Sequence, residues 1–205
     1  MVPKNIVAIG AGTCEGQADS QGNGFVGRLR VWHEGVDEHN HVYNLGISGE
    51  TSEGLLNRLA SEAKPRNPGL IIVHLGLNDL IREGGREASP LLQPEDYKNN
   101  IRRIIIRAQS FGEVVFISLL PVDETKTAPV SWQNLYYLLA DIKVFTQTIQ
   151  EVCAEMQIEY IDIFNDWIQQ NYTQYIHVDG LCINGQGHQY IFDKLKIRLE
   201  QLFGQ

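Results

Sequence analysis

Glycines set beside short polar side chains recur where apolar runs end, a pattern that brings backbone N–H groups, carboxamides and carboxylates close to a small ligand. There are four such blocks. Gly10 to Gly16 reads G-A-G-T-C-E-G, Asn44 to Thr51 reads N-L-G-I-S-G-E-T, His74 to Asp79 reads H-L-G-L-N-D, and His177 to His188 reads H-V-D-G-L-C-I-N-G-Q-G-H. The first invites a dinucleotide fingerprint, but that motif wants its third small residue where Glu15 stands and an acidic ribose ligand where the second apolar run closes on Leu45 and Gly46. A nucleotide-binding module is thus the weakest of the readings. No CxxC, HExxH or P-loop pattern occurs, so the motifs imply no metal and no cofactor.

The blocks need elements to hold them. Five short β-branched runs predict strands: Asn5 to Ile9, His41 to Leu45, Leu70 to Leu75, Val114 to Leu119 and Glu159 to Ile163. Several are apolar on consecutive residues, as in a parallel sheet covered on both faces. Leu135, Leu138, Ile142, Phe145, Ile149, Val152 and Met156 recur at helical steps, as do Phe192, Leu195, Leu199 and Leu202. Weaker helical patterns cover Phe25 to His33, Ser52 to Ala63 and Pro94 to Gln109. Alternating strands and helices specify a three-layer α/β/α sandwich with right-handed crossovers, which binds ligands beyond the carboxyl ends of its strands. All four blocks fall there or before the last helix.

In this order and at these separations the blocks resemble those of the SGNH (GDSL) hydrolase family: G-D-S-x-x-x-G, a second-strand S-G-x-T, G-x-N-D, and D-G-x-H before the last helix. The resemblance implies a flavodoxin-like fold with a five-stranded parallel sheet, and a lipase- or esterase-like hydrolase of carboxylic esters or acyl groups. It assigns oxyanion donation to the Gly49 backbone and the Asn78 carboxamide, and the histidine-orienting carboxylate to Asp179. Asp79 is then a loop-holding residue. Two departures stand out. The family's nucleophilic serine falls on Gly12, with its preceding aspartate on Ala11, and the catalytic histidine falls on Cys182, with the following proline on Ile183. The resemblance therefore leaves two outcomes open: a hydrolase impaired at nucleophile and base, or a pseudoenzyme that binds an acyl or acetylated-sugar ligand.

Neighbouring residues offer substitutes. Cys14, near the missing serine, is either a replacement nucleophile or a small buried apolar residue, while Cys182 beside Asp179 has its thiol pKa raised rather than lowered. If Cys14 and Cys182 adjoin, a disulfide or a shared soft metal is a further reading. Among the histidines, His188 is expected to cap or pack the last helix, His177 to pack a strand-like or loop segment, and His74 to be a satisfied core residue. His33, His39 and His41 are expected in a solvated loop. Leu80 to Pro94 and Pro121 to Trp132, with Leu91, Leu92, Val130 and Trp132, are expected to wall the pocket.

Composition narrows the partners. The 205 residues predict one domain over 1–205, 43% of them hydrophobic and 20% charged. A formal net charge of −8, from 17 basic and 25 acidic residues, disfavours nucleic acid and anionic membrane surfaces. No apolar run reaches bilayer-spanning length. Three cysteines, an odd number, and an N-terminus without a cationic, apolar leader predict free thiols in the cytoplasm. The expected partner is a neutral ester or acyl small molecule.

Overall fold

Val7 and Ile9 leave one face of the first strand, and Ile6 and Ala8 leave the other, and all four are fully buried. A strand covered on both sides belongs in the middle of a sheet. In the computed structural model, which describes residues 1–204, β1 (Asn5–Gly10) lies between β2 (His41–Gly46) and β3 (Leu70–His74). The sheet continues through β5 (Glu113–Ile117) to β7 (Glu159–Ile161), giving the all-parallel order β2-β1-β3-β5-β7. This is the doubly wound arrangement, with β1 and β3 at the topological switch. A separate antiparallel ribbon pairs β4 (Arg82–Glu83) with β6 (Leu135–Tyr136).

Two apolar layers flank the sheet. One packs α3 (Ser52–Ala63), α4 (Pro94–Gln109) and α6 (Leu139–Glu155) against it through Leu55, Leu59, Ile101, Ile104, Phe145 and Ile149. The other packs α2 (Gly24–Glu34), α7 (Ile163–Ile168) and α8 (Gly185–Phe203) through Phe25, Leu29, Trp167, Ile191 and Leu195. Each buried Leu, Ile or Phe contributes about 1.5–3 kcal/mol of hydrophobic stabilisation before conformational entropy is subtracted. Two four-residue helices, α1 (Gly12–Glu15) and α5 (Glu124–Thr127), sit at the carboxyl edge of the sheet.

The structure bears out the fold class and moves several boundaries. Glu159 to Ile163 does not continue as a strand, because Asp162 accepts a hydrogen bond from the Asn165 N–H at 3.0 Å and so starts α7. Leu135 and Leu138 keep helical spacing outside the helix. Leu135 is in the ribbon and Leu138 precedes α6 in extended conformation. The final helix begins earlier than its apolar repeat, at Gly185, where Asn184 caps the N–H groups of Gln186 and Gly187. His33 is not in a solvated loop: it is buried in α2 with Nε2 3.0 Å from the Lys4 carbonyl. His41 opens β2.

Candidate functional site

The carboxyl ends of β1, β2 and β3 and the loop before α8 enclose a cavity of about 350 Å3, within the usual size range of small-ligand sites. Gly12, Ser48, Gly49, Asn78, Asp179 and Cys182 line its polar side, and Leu77, Leu120, Trp132, Leu135, Tyr137 and Leu181 its apolar side. Five positions singled out in the sequence therefore meet in one pocket. Cys14 does not reach it.

Gly12 opens α1 directly after β1. A methyl group built on its Cα would lie 2.2 Å from Gln17 Oε1 and 2.7 Å from Gln17 Cδ, so the space a side chain would need is taken by the Gln17 carboxamide. That carboxamide is held from the far side, Gln17 Nε2 donating to Ser48 Oγ at 2.6 Å. Gln17 lies one residue beyond the first glycine block, and nothing in the motif's spacing singles it out.

Gly49, next to Ser48, adopts φ +78°, a left-handed conformation that favours glycine, with open space where a Cβ would stand. Among the described residues, no protein group accepts from its N–H. Asn78 lines the same wall. Its Nδ2 donates to the Glu50 carbonyl at 2.9 Å, which fixes the carboxamide and leaves one of its two N–H groups uncommitted. The loop carrying Gly49 is tied down by Asp79. Its buried carboxylate accepts from the Ser52 N–H at 2.8 Å and from Ser52 Oγ at 3.0 Å, and Asn100 Nδ2 donates to the same hydroxyl at 2.9 Å. Burial pushes the Asp79 carboxyl above its ordinary value, against the lowering effect of the Ser52 donors. With both oxygens engaged behind the wall, Asp79 positions the loop.

Asp179 faces Cys182 from the third wall. Its Oδ1 accepts from the N–H groups of Leu181 at 2.8 Å and Cys182 at 2.9 Å, closing a tight turn. Burial works to raise its pKa, but these donors prevail and hold it below the ordinary carboxylate range. Burial and the adjacent Asp179 charge push the Cys182 thiol up to about 12. His177 Nδ1 lies 3.3 Å from Asp179 Oδ2 without hydrogen-bond alignment. Its partly exposed ring lines a separate polar cavity of about 1010 Å3, with Arg28, Gln174 and Gln186, rather than facing Gly12. The segment is strand-like as expected, Ile176 bridging Ile183 and the His177 N–H donating to the Cys182 carbonyl at 2.8 Å, while the ring stays partly exposed.

Beneath α1 lies a closed layer. Cys14 is fully buried among apolar residues, its Sγ is 3.8 Å from the His74 carbonyl, and burial pushes its thiol up to about 12. That matches the small buried apolar reading and offers no exposed thiolate. Cys14, Cys153 and Cys182 are all free. His74 is buried as expected but not satisfied: Nδ1 has no hydrogen-bond partner, and burial lowers its pKa to about 4. His188 accepts from the Phe25 N–H at Nδ1 and so donates from Nε2 to the Gln17 carbonyl, bridging α8 to the segment that carries Gln17. Of the expected walls, Trp132 lines the pocket, Val130 is in the core and Leu91 is exposed.

This doubly wound sheet, with Gly49, Asn78 and Asp179 lining one pocket at its carboxyl edge, has the architecture of the SGNH hydrolases. The chain belongs to the GDSL-like lipase/acylhydrolase family, whose model matches residues 8–190. It is 27% identical over 140 residues to a GDSL esterase/lipase of Arabidopsis thaliana, covering 60% of this chain and 51% of that protein. A GDSL esterase/lipase of Oryza sativa subsp. japonica is 22% identical over 163 residues, covering 74% and 61%. The chain thus spans between half and two thirds of the length of these relatives. Among solved structures, a lipase/acylhydrolase from Enterococcus faecalis superposes with a TM-score of 0.79 at 19% identity, covering 97% of this chain and 96% of that one. That likeness is one of fold. No helix among the described residues is long and apolar enough to cross a membrane.

Proposed function

We propose that the pocket binds a carboxylic ester or acyl group of a small neutral molecule, and that hydrolysis by the family's serine–histidine route is impaired. One observation carries this reading: Gly49 and Asn78 line one cavity with Gly12 and Cys182, and those last two positions hold no hydroxyl and no imidazole. In this reading Gly49 N–H and Asn78 Nδ2 stabilise the acyl oxygen. Asp179 survives from the triad without a base to orient. In a serine protease, loss of the whole triad lowers turnover by about 10⁶ and leaves about 10³ to 10⁴ over water from the oxyanion hole and binding.

A second reading is a pseudoenzyme that binds an acyl or acetylated-sugar ligand without turnover, supported by the absence of both a hydroxyl at Gly12 and an imidazole at Cys182. The three free thiols support a reducing compartment, and the cytoplasm remains our proposed location. The test uses p-nitrophenyl acetate. Native protein is expected to saturate in binding, read by tryptophan fluorescence through Trp132, while releasing nitrophenolate at no more than about 10⁴ times the water rate. Turnover typical of an intact serine esterase would contradict the impairment. Absence of binding by a folded protein would contradict the acyl pocket.

A further inference from the structure

The apolar side of the pocket is built from two kinds of element. Leu77 and Leu120 stand on the segments that leave β3 and β5. Leu135 and Tyr137 come instead from the ribbon, where their i, i+2 spacing puts both side chains on one face, and the Val130 N–H donates to the Leu135 carbonyl at 2.9 Å to close the loop that carries Trp132. A ribbon of two residues per strand does not hold itself in place. Arg82, opposite Tyr136 in the ribbon, supplies an anchor. Its Nε and Nη2 donate to Asp141 Oδ2 and Oδ1 at 2.6 and 2.7 Å, and its Nη1 donates to the carbonyls of Arg86 and Ala88, both at 2.7 Å. Asp141 lies in the first turn of the 17-residue α6, so the ribbon is forked onto a long helix of the core. Elsewhere its backbone is tied to Thr127, in the short α5. Neither Arg82 nor Asp141 lines the pocket.

We propose that Arg82 is a positioning residue that sets the pocket's preference for acyl chain length, by holding the ribbon's Trp132, Leu135 and Tyr137 against the chain. The inference rests on the acyl-pocket reading above. The carbonyl oxygen goes to Gly49 and Asn78, whose loops are fixed by Glu50, Ser52 and Asp79 without help from the ribbon. The chain then lies along the apolar wall, and each further methylene gains contact with it. With the fork in place, that wall keeps its distance from Leu77 and Leu120. Without it the wall is free to retreat, water reaches the chain, and the gain per methylene falls while the hydrogen bonds of the carbonyl stay. Lysine is no equivalent at position 82, because a single ammonium cannot bridge both carboxylate oxygens and still reach the two carbonyls.

Four methyl ketones, 2-butanone, 2-pentanone, 2-hexanone and 2-heptanone, offer the same carbonyl with a growing chain and no leaving group. Binding is read by ligand-observed NMR on the native chain, Arg82→Met, Asp141→Asn, the double variant and Arg82→Lys. The native chain is expected to bind about fourfold more tightly for each added methylene. Arg82→Met and Asp141→Asn should each bring that gain below about twofold, and the double variant no lower, since both remove one interaction. Arg82→Lys should lie between them and the native chain, and the affinity for 2-butanone should stay within about twofold throughout. A native gain per methylene in the folded single variants, or in Arg82→Lys should those two not fold, would overturn the role of the fork and leave the acyl pocket standing. Equal weakening of all four ketones would do the same, reducing Arg82 to a residue of stability. No gain with length in the native chain would remove the ribbon from the acyl wall and overturn the inference. Failure of all four to bind would overturn the acyl pocket itself and this inference with it.

Discussion

Gly12→Ser, Gln17→Ala and Cys182→His combined are expected to raise p-nitrophenyl acetate hydrolysis at least about 100-fold over the native chain, whereas Gly12→Ser with Cys182→His alone falls well short of that. The expected gain is a small part of the roughly 10⁶ that a complete triad supplies in a serine protease, since a restored triad rarely reaches its best geometry. The order of the two variants follows from the space around Gly12. A serine Cβ would lie 2.2 Å from Gln17 Oε1, so the new side chain and the Gln17 carboxamide cannot both keep their places. The rest of the machinery needs no change: Gly49 is open to the pocket, and Asn78 is fixed by the Glu50 carbonyl. Asp179 is already anchored beside position 182. Equal rates for the two variants would show that Gln17 moves aside freely. A triple variant no faster than native would remove Gly49, Asn78 and Asp179 from the catalytic roles proposed for them.

The second large effect concerns the thiols. In the native protein at pH 8, all three cysteines are expected to react with a disulfide reagent about 10³-fold more slowly than an unfolded cysteine, because only about 10⁻⁴ of a thiol with a pKa near 12 is thiolate at that pH. The causes differ. Burial raises Cys14 and Cys153, whereas burial together with the Asp179 charge raises Cys182. Asp179→Asn should therefore speed labelling of Cys182 and leave the other two unchanged. Raising the pH should speed all three, since the thiolate is the reactive form. Rapid labelling of any one cysteine in the folded native protein would contradict these environments, and fewer than three thiols after exposure to oxidant would revive a Cys14–Cys182 disulfide.

The fold was legible in the sequence wherever one periodicity ran unopposed. Ser52 to Ala63 and Pro94 to Gln109 form helices over the spans their apolar spacing predicts, and the five apolar runs are the five strands of the sheet. Spacing failed where a local side chain decided the outcome. Asp162 turned the end of the last apolar run into a helix start, and Leu135 was drawn from the helical repeat into a ribbon against Glu83. The site was legible at the level of its blocks, because Gly12, Gly49, Asn78, Asp179 and Cys182 sit at element ends that the topology brings together. What fills the gap left by the missing serine was not. Gln17 belongs to no block and reaches Gly12 only because α1 is a single turn ending at Gly16, whose φ of +98° reverses the chain. A short-range fold of that kind leaves no periodic trace.

A phosphonylating ester that traps serine and cysteine hydrolases, read by intact-protein mass, tests most directly the proposed claim that no residue of the pocket, Thr13, Ser48 and Cys182 included, acts as a nucleophile. Native protein incubated with excess reagent at pH 8 is expected to keep its unmodified mass, while the triple variant Gly12→Ser, Gln17→Ala, Cys182→His gains one phosphonyl group, mapped to position 12. A stoichiometric adduct on the native chain at any pocket residue would contradict the claim and name the nucleophile that replaced the serine.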